Sequence, residues 1–254
     1  MRQIGLLFLG LVFTFPLLFG QNTARFEKAT ELYNKGQYNE AAEQYLSILE
    51  NGEHSAALYF NLGNCYYKQN EIGPSIYYYE KALLLKPNDP EILNNLGYAQ
   101  NMRLDAVEQM PQTELGKLYD GLVNRLSFDQ WSYLAIALMM FCVLCYLAYY
   151  FLGVASQKRV AFVTSVISLI LGCSAVLLAY LQYREFVSDN PAIVFAREVK
   201  IQAEPNANSE SVFTLHEGTK VNVLDSLEAW RKIKLEDGQI GWVKIEKIKL
   251  LKDF

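Results

Sequence analysis

The sequence lacks the short motifs that mark common catalytic sites. The 254 residues contain no H-E-x-x-H, no G-x-x-x-x-G-K-[ST], no G-x-G-x-x-G and no G-x-S-x-G motif. They include only two histidines, His54 and His216. Nucleophilic catalysis requires a nucleophile beside a base, and no cysteine adjoins either histidine. We therefore expect no enzyme, and we expect neither a cofactor nor a metal site.

Cysteines and basic clusters are also scarce. Three of the four cysteines, Cys142, Cys145 and Cys173, lie in one apolar stretch, so only Cys65 remains for an oxidising compartment and a disulfide framework is excluded. The C-x-x-C pattern in that stretch is far from the water in which thiol exchange occurs. With a net charge of −4 and no polybasic tract, the chain offers no surface typical of nucleic-acid binding.

Charge is nearly absent from residues 130–183. Lys158 and Arg159 are the only charged residues there, and they separate two uncharged runs, 130–157 and 160–183. Each run is longer than the roughly 20 apolar residues that cross a bilayer core as a helix. The pattern predicts a two-helix transmembrane hairpin with helices at 130–152 and 160–183 and a turn at 153–159.

Both ends of this hairpin carry further signals. Ser127 and Gln130 form an S-x-x-Q capping box that predicts the start of the first helix. The turn has two basic residues and no acid, whereas the flank 104–129 has more acids than bases, and short basic loops stay in the cytoplasm. We therefore expect the 153–159 turn in the cytoplasm and the large flanking parts on the opposite side.

Residues 1–20 also predict that the segment after them lies outside the cytoplasm. Arg2 precedes an uncharged apolar run that ends at Gly20, a pattern typical of a secretory signal peptide. The alternative is an anchor that is not cleaved. Either outcome places residue 21 onward outside the cytoplasm.

The segment 22–103 repeats itself with a period of 34 residues. Gly63 recurs as Gly97, and Tyr45 recurs as Tyr79. The run N-L-G-N-C-Y-Y-K-Q-N around Gly63, followed by Y-E-K-A-L from Tyr79, resembles a tetratricopeptide repeat. The resemblance implies an all-α solenoid whose repeats are 22–55, 56–89 and a partial third, 90–103.

A solenoid of this kind presents a groove built from the first helix of each repeat, and such a groove takes up a partner's peptide or helix. The resemblance implies that the partner-binding side chains are Asn64, Tyr67, Lys68, Tyr98 and Asn101. The alternative is that these are ordinary repeat residues without a specific ligand.

Residues 112–126 predict an amphipathic helix between the repeats and the hairpin. Their apolar residues recur at helical spacing and form one stripe. Because two and a half repeats need a cap, this helix either covers the open end of the solenoid or lies in the membrane interface. The stripe consists of Leu115, Leu118, Tyr119, Leu122, Val123 and Leu126.

Short β-branched runs separated by turn signals fill residues 192–254. The D-G pair at 237–238 favours a hairpin, and the G-W-V run at 241–243 resembles a strand of a bacterial SH3 domain. That resemblance implies a small all-β SH3-like barrel, in which Trp230 and Trp242 belong to the core or line a peptide groove. The predicted strands are 192–195, 198–202, 220–224, 230–235 and 240–245.

The order of these parts resembles the BatE-like members of the Bacteroides aerotolerance (Bat) operon family over essentially the full length. This implies a multidomain membrane protein of the bacterial inner membrane: an all-α tetratricopeptide solenoid and an SH3-like barrel, both periplasmic, on a two-helix transmembrane hairpin. The implied function is a non-enzymatic scaffold in envelope stress or aerotolerance. Its implied partners are membrane proteins with von Willebrand A domains and a MoxR-type ATPase. The alternative is a tether or sensor whose barrel binds peptidoglycan.

Overall fold

The structure is a computed structural model, and it describes residues 22–105 and 113–252. The described chain forms two compact units. One comprises residues 22–105 together with 190–252, and the other comprises residues 113–189. The predicted signal peptide at 1–20 lies outside the described residues.

Five helices form the first part of the first unit, and side-chain caps fix where two of them begin. The Ser55 hydroxyl accepts a hydrogen bond from the Leu58 backbone N–H at 3.2 Å, and the Asp89 carboxylate accepts one from Ile92 at 3.3 Å. Pro90 follows Asp89 at the first helical position, where its missing N–H is not needed. The helices are α1 (22–34), α2 (Tyr38–Glu50), α3 (Ala56–Lys68), α4 (Ile72–Leu85) and α5 (Pro90–Gln100).

A glycine allows α3 and α4 to approach closely. A Cβ atom added to Gly63 would lie 2.5 Å from ring atom Cδ1 of Tyr79, whose side chain is only 1% exposed. The Ser75 hydroxyl, one turn earlier on α4, donates a hydrogen bond to the Gly63 carbonyl at 3.0 Å. The glycine therefore lets α3 and α4 approach with the Tyr79 ring between them, and the helical repeat region is confirmed.

The second part of the first unit is a domain of short strands, residues 190–252, here called the sheet domain. Its strands form one antiparallel sheet in the order β3-β2-β6-β5-β4-β1-β7. Gly238, with φ of +91°, turns the chain between β5 and β6 as the D-G pair predicts. The strands are β1 (Pro191–Val194), β2 (Glu198–Gln202), β3 (Ser211–His216), β4 (Lys220–Leu227), β5 (Trp230–Lys234), β6 (Ile240–Lys244) and β7 (Ile248–Leu250).

The repeats and the sheet domain share part of one hydrophobic core. Ile193 and Leu251 of the sheet domain are 0% exposed and belong to the same buried cluster as Ile76 of α4. The ring of Phe195 packs edge-on against Tyr77, with ring centroids 5.3 Å apart. The sheet domain thus covers apolar side chains of the last complete repeat, which removes them from water.

The second unit contains three helices, and the predicted capping box is present at the start of the second. The Gln130 backbone N–H donates to the Ser127 hydroxyl at 3.2 Å, and the Ser127 N–H donates to the Gln130 side chain at 3.0 Å. The helices are α6 (Glu114–Val123), α7 (Phe128–Phe151) and α8 (Ala155–Ser188).

Helices α7 and α8 form a hairpin whose inner face uses small and hydroxyl side chains. The Ser168 hydroxyl donates to the Leu138 carbonyl at 2.7 Å, and a Cβ atom added to Gly172 would lie 3.2 Å from Met139 Cε. Such residues allow two apolar helices to pack closely. Lys158 lies within α8, which therefore extends at both ends beyond the 160–183 run that predicts it.

Both hairpin helices are long and apolar enough to cross a membrane. They contain 24 and 34 residues, and the most apolar windows have mean hydropathies of 2.2 and 2.4. Only 6% and 22% of those windows are buried within the protein. A core helix of a water-soluble domain would be mostly buried, so these apolar surfaces suit contact with lipid.

Candidate interaction surfaces

One candidate surface follows the first helices of the second and third repeats. Asn64, Tyr67 and Lys68 occupy positions i, i+3 and i+4 of α3, and therefore share one face of that helix. Tyr98 and Asn101 share a face at the end of α5, also three positions apart. The two helices meet at Asn64, because Nδ2 of Asn95, three residues before Tyr98, donates to Oδ1 of Asn64 at 3.1 Å.

Two of the predicted residues on this surface have structural contacts. Oδ1 of Asn64 also accepts a hydrogen bond from the Tyr79 hydroxyl at 2.6 Å, so this amide links α3, α4 and α5. Tyr67 packs against the buried cluster that contains Tyr79. Asn64 therefore holds the surface together from within, and its replacement would disturb the helix packing.

The other three predicted residues are available to a partner. Lys68 and Asn101 are exposed, and Tyr98 is 55% exposed despite its large aromatic ring. A half-exposed tyrosine offers apolar area together with a hydrogen-bonding hydroxyl, as interface residues commonly do.

The second candidate surface is one face of the sheet domain. Trp230 pairs with Lys244 and Trp242 pairs with Lys232 across strands β5 and β6. Directly opposed residues of an antiparallel pair lie on the same face, so the two tryptophans alternate with two lysines there. The opposite face carries the buried side chains of Ile233 and Val243, while both tryptophans are half-buried. Neither tryptophan is therefore a fully buried core residue.

This aromatic and basic face can bind an anionic ligand that also carries flat apolar rings or sugar faces. Lysine ammonium groups attract carboxylates, and indole rings supply a broad apolar contact. Asp225, opposite Lys232 on β4, is the acidic residue in this pairing. Leu227, opposite Trp230, is 51% exposed and extends the apolar area.

A polar cluster that the sequence does not predict joins the repeats to the sheet domain. The Asp105 carboxylate accepts hydrogen bonds from the His216 backbone N–H at 2.6 Å and from the Thr219 hydroxyl at 2.6 Å. Its other oxygen lies 2.7 Å from Nδ1 of His216. Nearby, Nζ of Lys220 forms an ion pair with the Glu80 carboxylate at 2.7 Å, and the Glu80 side chain is only 9% exposed.

The surroundings of Asp105 and His216 change the pKa of each side chain. Burial raises the pKa of Asp105, but hydrogen bonds from Thr219 and His216 outweigh that effect and hold the pKa below its ordinary value. The hydrogen bond to Asp105 holds the pKa of His216 above its ordinary value. The pair is therefore a charge-assisted link at mildly acidic pH. No local sequence pattern reveals it, because the partners are 111 residues apart.

Cys65 and His216, two groups that could take part in chemistry, are held in structural contacts. Cys65 is 0% exposed, and burial raises the pKa of its thiol to about 12, so the thiol stays protonated at neutral pH. Within residues 22–105 and 113–252, no three His, Cys, Asp or Glu side chains are grouped to hold a metal ion. His216 contacts the Asp105 carboxylate, and both oxygens of that carboxylate bind residues of the sheet domain.

Comparison with known families identifies two modules. Residues 56–89 match the tetratricopeptide repeat family, and residues 198–245 match the bacterial SH3 domain family. No curated protein matches the chain with significant sequence similarity. The matched ranges are the second repeat and the central strands of the sheet domain, so the chain carries modules similar to two families of binding domains.

Proposed function

We propose that this chain is a non-enzymatic, membrane-anchored scaffold. The observation that carries the proposal is the combination of two binding modules in one compact unit with a pair of long apolar helices. The modules share the buried cluster that contains Ile193 and Leu251, so they present their surfaces in a fixed relation to each other. A fixed pair of surfaces is useful for holding two ligands, and requires no catalytic group.

The proposed location is the bacterial inner membrane, with the repeats and the sheet domain in the periplasm. The basic residues Lys158 and Arg159 beside the connection of the hairpin support a cytoplasmic turn. The apolar N-terminal run supports export of the repeats that come after it in the chain. A bacterial SH3 module is consistent with a periplasmic location.

The proposed assembly is a Bat-type complex that acts in envelope stress or aerotolerance. The resemblance in the order of parts supports it, and the implied partners are membrane proteins with von Willebrand A domains and a MoxR-type ATPase. In this proposal the repeat surface around Tyr98 binds one partner, and the hairpin keeps the scaffold beside partners that are themselves in the membrane.

Co-purification tests the repeat surface. The triple variant Lys68→Ala, Tyr98→Ala, Asn101→Ala removes exposed side chains only, so we expect it to fold normally and to lose partner proteins that the wild-type chain retains from solubilised membranes. Proteins would be identified by mass spectrometry. Asn64 is left unchanged because its hydrogen bonds to Tyr79 and Asn95 support the helix packing.

The matched control removes two exposed lysines elsewhere. Lys35 and Lys86 have side chains that are 66% and 65% exposed, and Lys35→Ala with Lys86→Ala leaves the proposed surface intact. Retention of von Willebrand A proteins by the triple variant would refute the surface, and their absence from the wild-type sample would refute the assembly.

A second candidate function is binding of the cell wall by the sheet domain. The alternation of Trp230 and Trp242 with Lys232 and Lys244 on one face favours it, because peptidoglycan combines sugar rings with carboxylates. Sedimentation with purified sacculi tests this idea. The full chain in detergent should be used, since an isolated sheet domain would expose Ile193 to water.

In that experiment the expected result is retention of the wild-type chain and loss of retention in Trp230→Ala with Trp242→Ala. Val212→Ala on β3, a side chain that is 54% exposed and is separated from Trp242 by strand β2, is the control. Equal sedimentation of all three proteins, or of none, would remove the cell-wall function.

A further inference from the structure

We propose that α6 is an interfacial helix whose apolar face inserts into the lipid surface beside the hairpin. The proposal rests on the membrane anchoring proposed above. It chooses between the two roles that the sequence leaves open for this segment, and it assigns lipid as the ligand of a specific surface.

The apolar face of α6 is unusually exposed for a helix of its length. Leu115, Leu118 and Leu122 are 79%, 71% and 53% exposed, and Tyr119 beside them is 42% exposed. These positions recur at intervals of three and four, so they form one stripe along a helix of ten residues. A water-soluble protein rarely leaves such a stripe in contact with water.

The other side of α6 is polar. Nζ of Lys117 forms an ion pair with the Glu114 carboxylate at 2.9 Å, and both side chains are more than half exposed. A short helix with an exposed apolar stripe and a charged opposite side is the pattern of helices that lie in the membrane interface plane.

Contacts with the hairpin place α6 at the level of the lipid headgroups. The side chain of Val123, the last residue of α6, is 0% exposed, and its carbonyl accepts a hydrogen bond from the indole Nε1 of Trp131 at 3.0 Å. Trp131 lies in the first turn of α7, and tryptophans at helix ends prefer the headgroup region. The hydrogen bond therefore ties the end of α6 to the depth at which α7 enters the hydrocarbon.

Exposed aromatic residues also lie at this end of the hairpin. Tyr133 near the start of α7 and Tyr183 near the end of α8 are 70% and 53% exposed, and the Phe128 ring packs against Tyr183 with centroids 5.9 Å apart. Tryptophan and tyrosine side chains are enriched where membrane-spanning helices meet the lipid headgroups. Lipid is therefore the occupant that meets both the aromatic residues and the stripe of α6.

Fluorescence quenching tests the proposal on the full chain. The four native cysteines are replaced by alanine, and a bimane label is attached at Leu118→Cys on the stripe. The protein is reconstituted into vesicles of phosphatidylcholine and phosphatidylglycerol in equal parts. We expect phosphatidylcholine with brominated acyl chains to remove bimane emission, and aqueous iodide to have little effect.

Two controls make the result specific. Bimane at Lys117→Cys, on the polar side, should respond in the opposite way, with strong quenching by iodide and weak quenching by brominated lipid. Bimane at Val163→Cys, a 53% exposed position within the apolar run of α8, reports whether the hairpin is in the bilayer.

The outcomes separate this proposal from the anchoring on which it rests. Lipid quenching at 163 with iodide quenching at 118 would refute the interfacial helix alone. Protection of 118 from both quenchers would also refute it, since a protein surface would then cover the stripe. Loss of lipid quenching at 163 would refute the membrane anchor, and the interfacial helix with it.

Discussion

Gly63 and Gly97 occupy equivalent positions of the repeat but have opposite surroundings. A Cβ atom at 63 would meet the Tyr79 ring at 2.5 Å, whereas a Cβ atom at 97 would have no described atom within 4 Å apart from its chain neighbours and its own helix backbone. Gly63→Ala should lower the free energy of unfolding, because overpacking a core costs about 1–3 kcal/mol. Gly97→Ala should raise it by about 0.5–1 kcal/mol, because alanine favours helix.

Urea unfolding of the two variants in mild detergent measures this contrast. The pair is internally matched, since the same substitution is made at the same repeat position. Equal destabilisation by both variants would mean that the Tyr79 contact does not limit the residue at 63.

The link between Asp105 and His216 makes stability depend on pH. The pKa of His216 is raised above 6.5 in the folded protein, so its contribution is complete below 6.5 and is lost as pH rises through the raised value. The pKa of Asp105 is lowered below 3.8, so its contribution is complete above 3.8 and is lost as pH falls. Both contributions are present between these values.

The measurement is the difference in Tm between the wild-type chain and His216→Gln as a function of pH. We expect the largest difference between pH 3.8 and 6.5 and a smaller one at pH 8. Glu198 also raises the pKa of His216, so Glu198→Gln should move the decline to lower pH without abolishing it. A Tm difference that is constant from pH 5 to pH 8 would contradict the protonated histidine.

At this scale the sequence predicts contacts within a repeat better than contacts between modules. Gly63 and Tyr79 both recur with the repeat period, so the sequence marks both as packing positions of the repeat. The sequence does not predict that Asn64 joins three helices, because an asparagine at this position is equally compatible with partner binding. Asp105 and His216 are far apart in the chain, and no periodicity connects a repeat end to a strand end.

At the scale of elements, the packing of β1 on α4 makes two modules depend on each other. Ile193 and Ile201 are both 0% exposed residues of the sheet domain, but Ile193 belongs to the cluster of α4, and Ile201 belongs to the core of the sheet. Truncation of a buried isoleucine to alanine costs about 2–5 kcal/mol. Ile193→Ala should therefore weaken α4 as well as β1, whereas Ile201→Ala should weaken the sheet alone.

Hydrogen–deuterium exchange read by mass spectrometry distinguishes these results. Faster exchange in both residues 72–85 and residues 190–195 is expected for Ile193→Ala, and faster exchange confined to the sheet domain is expected for Ile201→Ala. Unchanged exchange of α4 in Ile193→Ala would show that the repeats do not need the sheet domain.

The elements themselves are largely predictable, and the exceptions have physical causes. Helix α8 continues through Lys158 because charged residues are compatible with helix, so an uncharged run marks a membrane span and not the ends of a helix. The sequence analysis does not predict strand β3 (Ser211–His216), because its apolar residues at 212, 213 and 215 do not alternate strictly with polar ones. Strand β7, with three residues, is too short for a periodic pattern.

For the whole molecule, the order of modules is predictable, and their packing together is not. Each family pattern describes one domain and its own core. The shared cluster of Ile193 and Leu251 with the helices depends on a surface match that neither pattern contains. The family patterns also say nothing about the orientation of the hairpin in the membrane. The charge asymmetry around Lys158 is the main sequence signal for that orientation.

Labelling of single cysteines in intact spheroplasts tests the orientation of the hairpin in the membrane. In a chain without native cysteines, Lys35→Cys in the repeats and Val212→Cys in the sheet domain should react with a membrane-impermeant maleimide. Ser156→Cys at the hairpin connection should react only after permeabilisation. This pattern is expected if Lys158 and Arg159 hold the connection in the cytoplasm. The reverse pattern would place both modules in the cytoplasm, contradict the signal peptide, and favour an intracellular adaptor over a periplasmic scaffold.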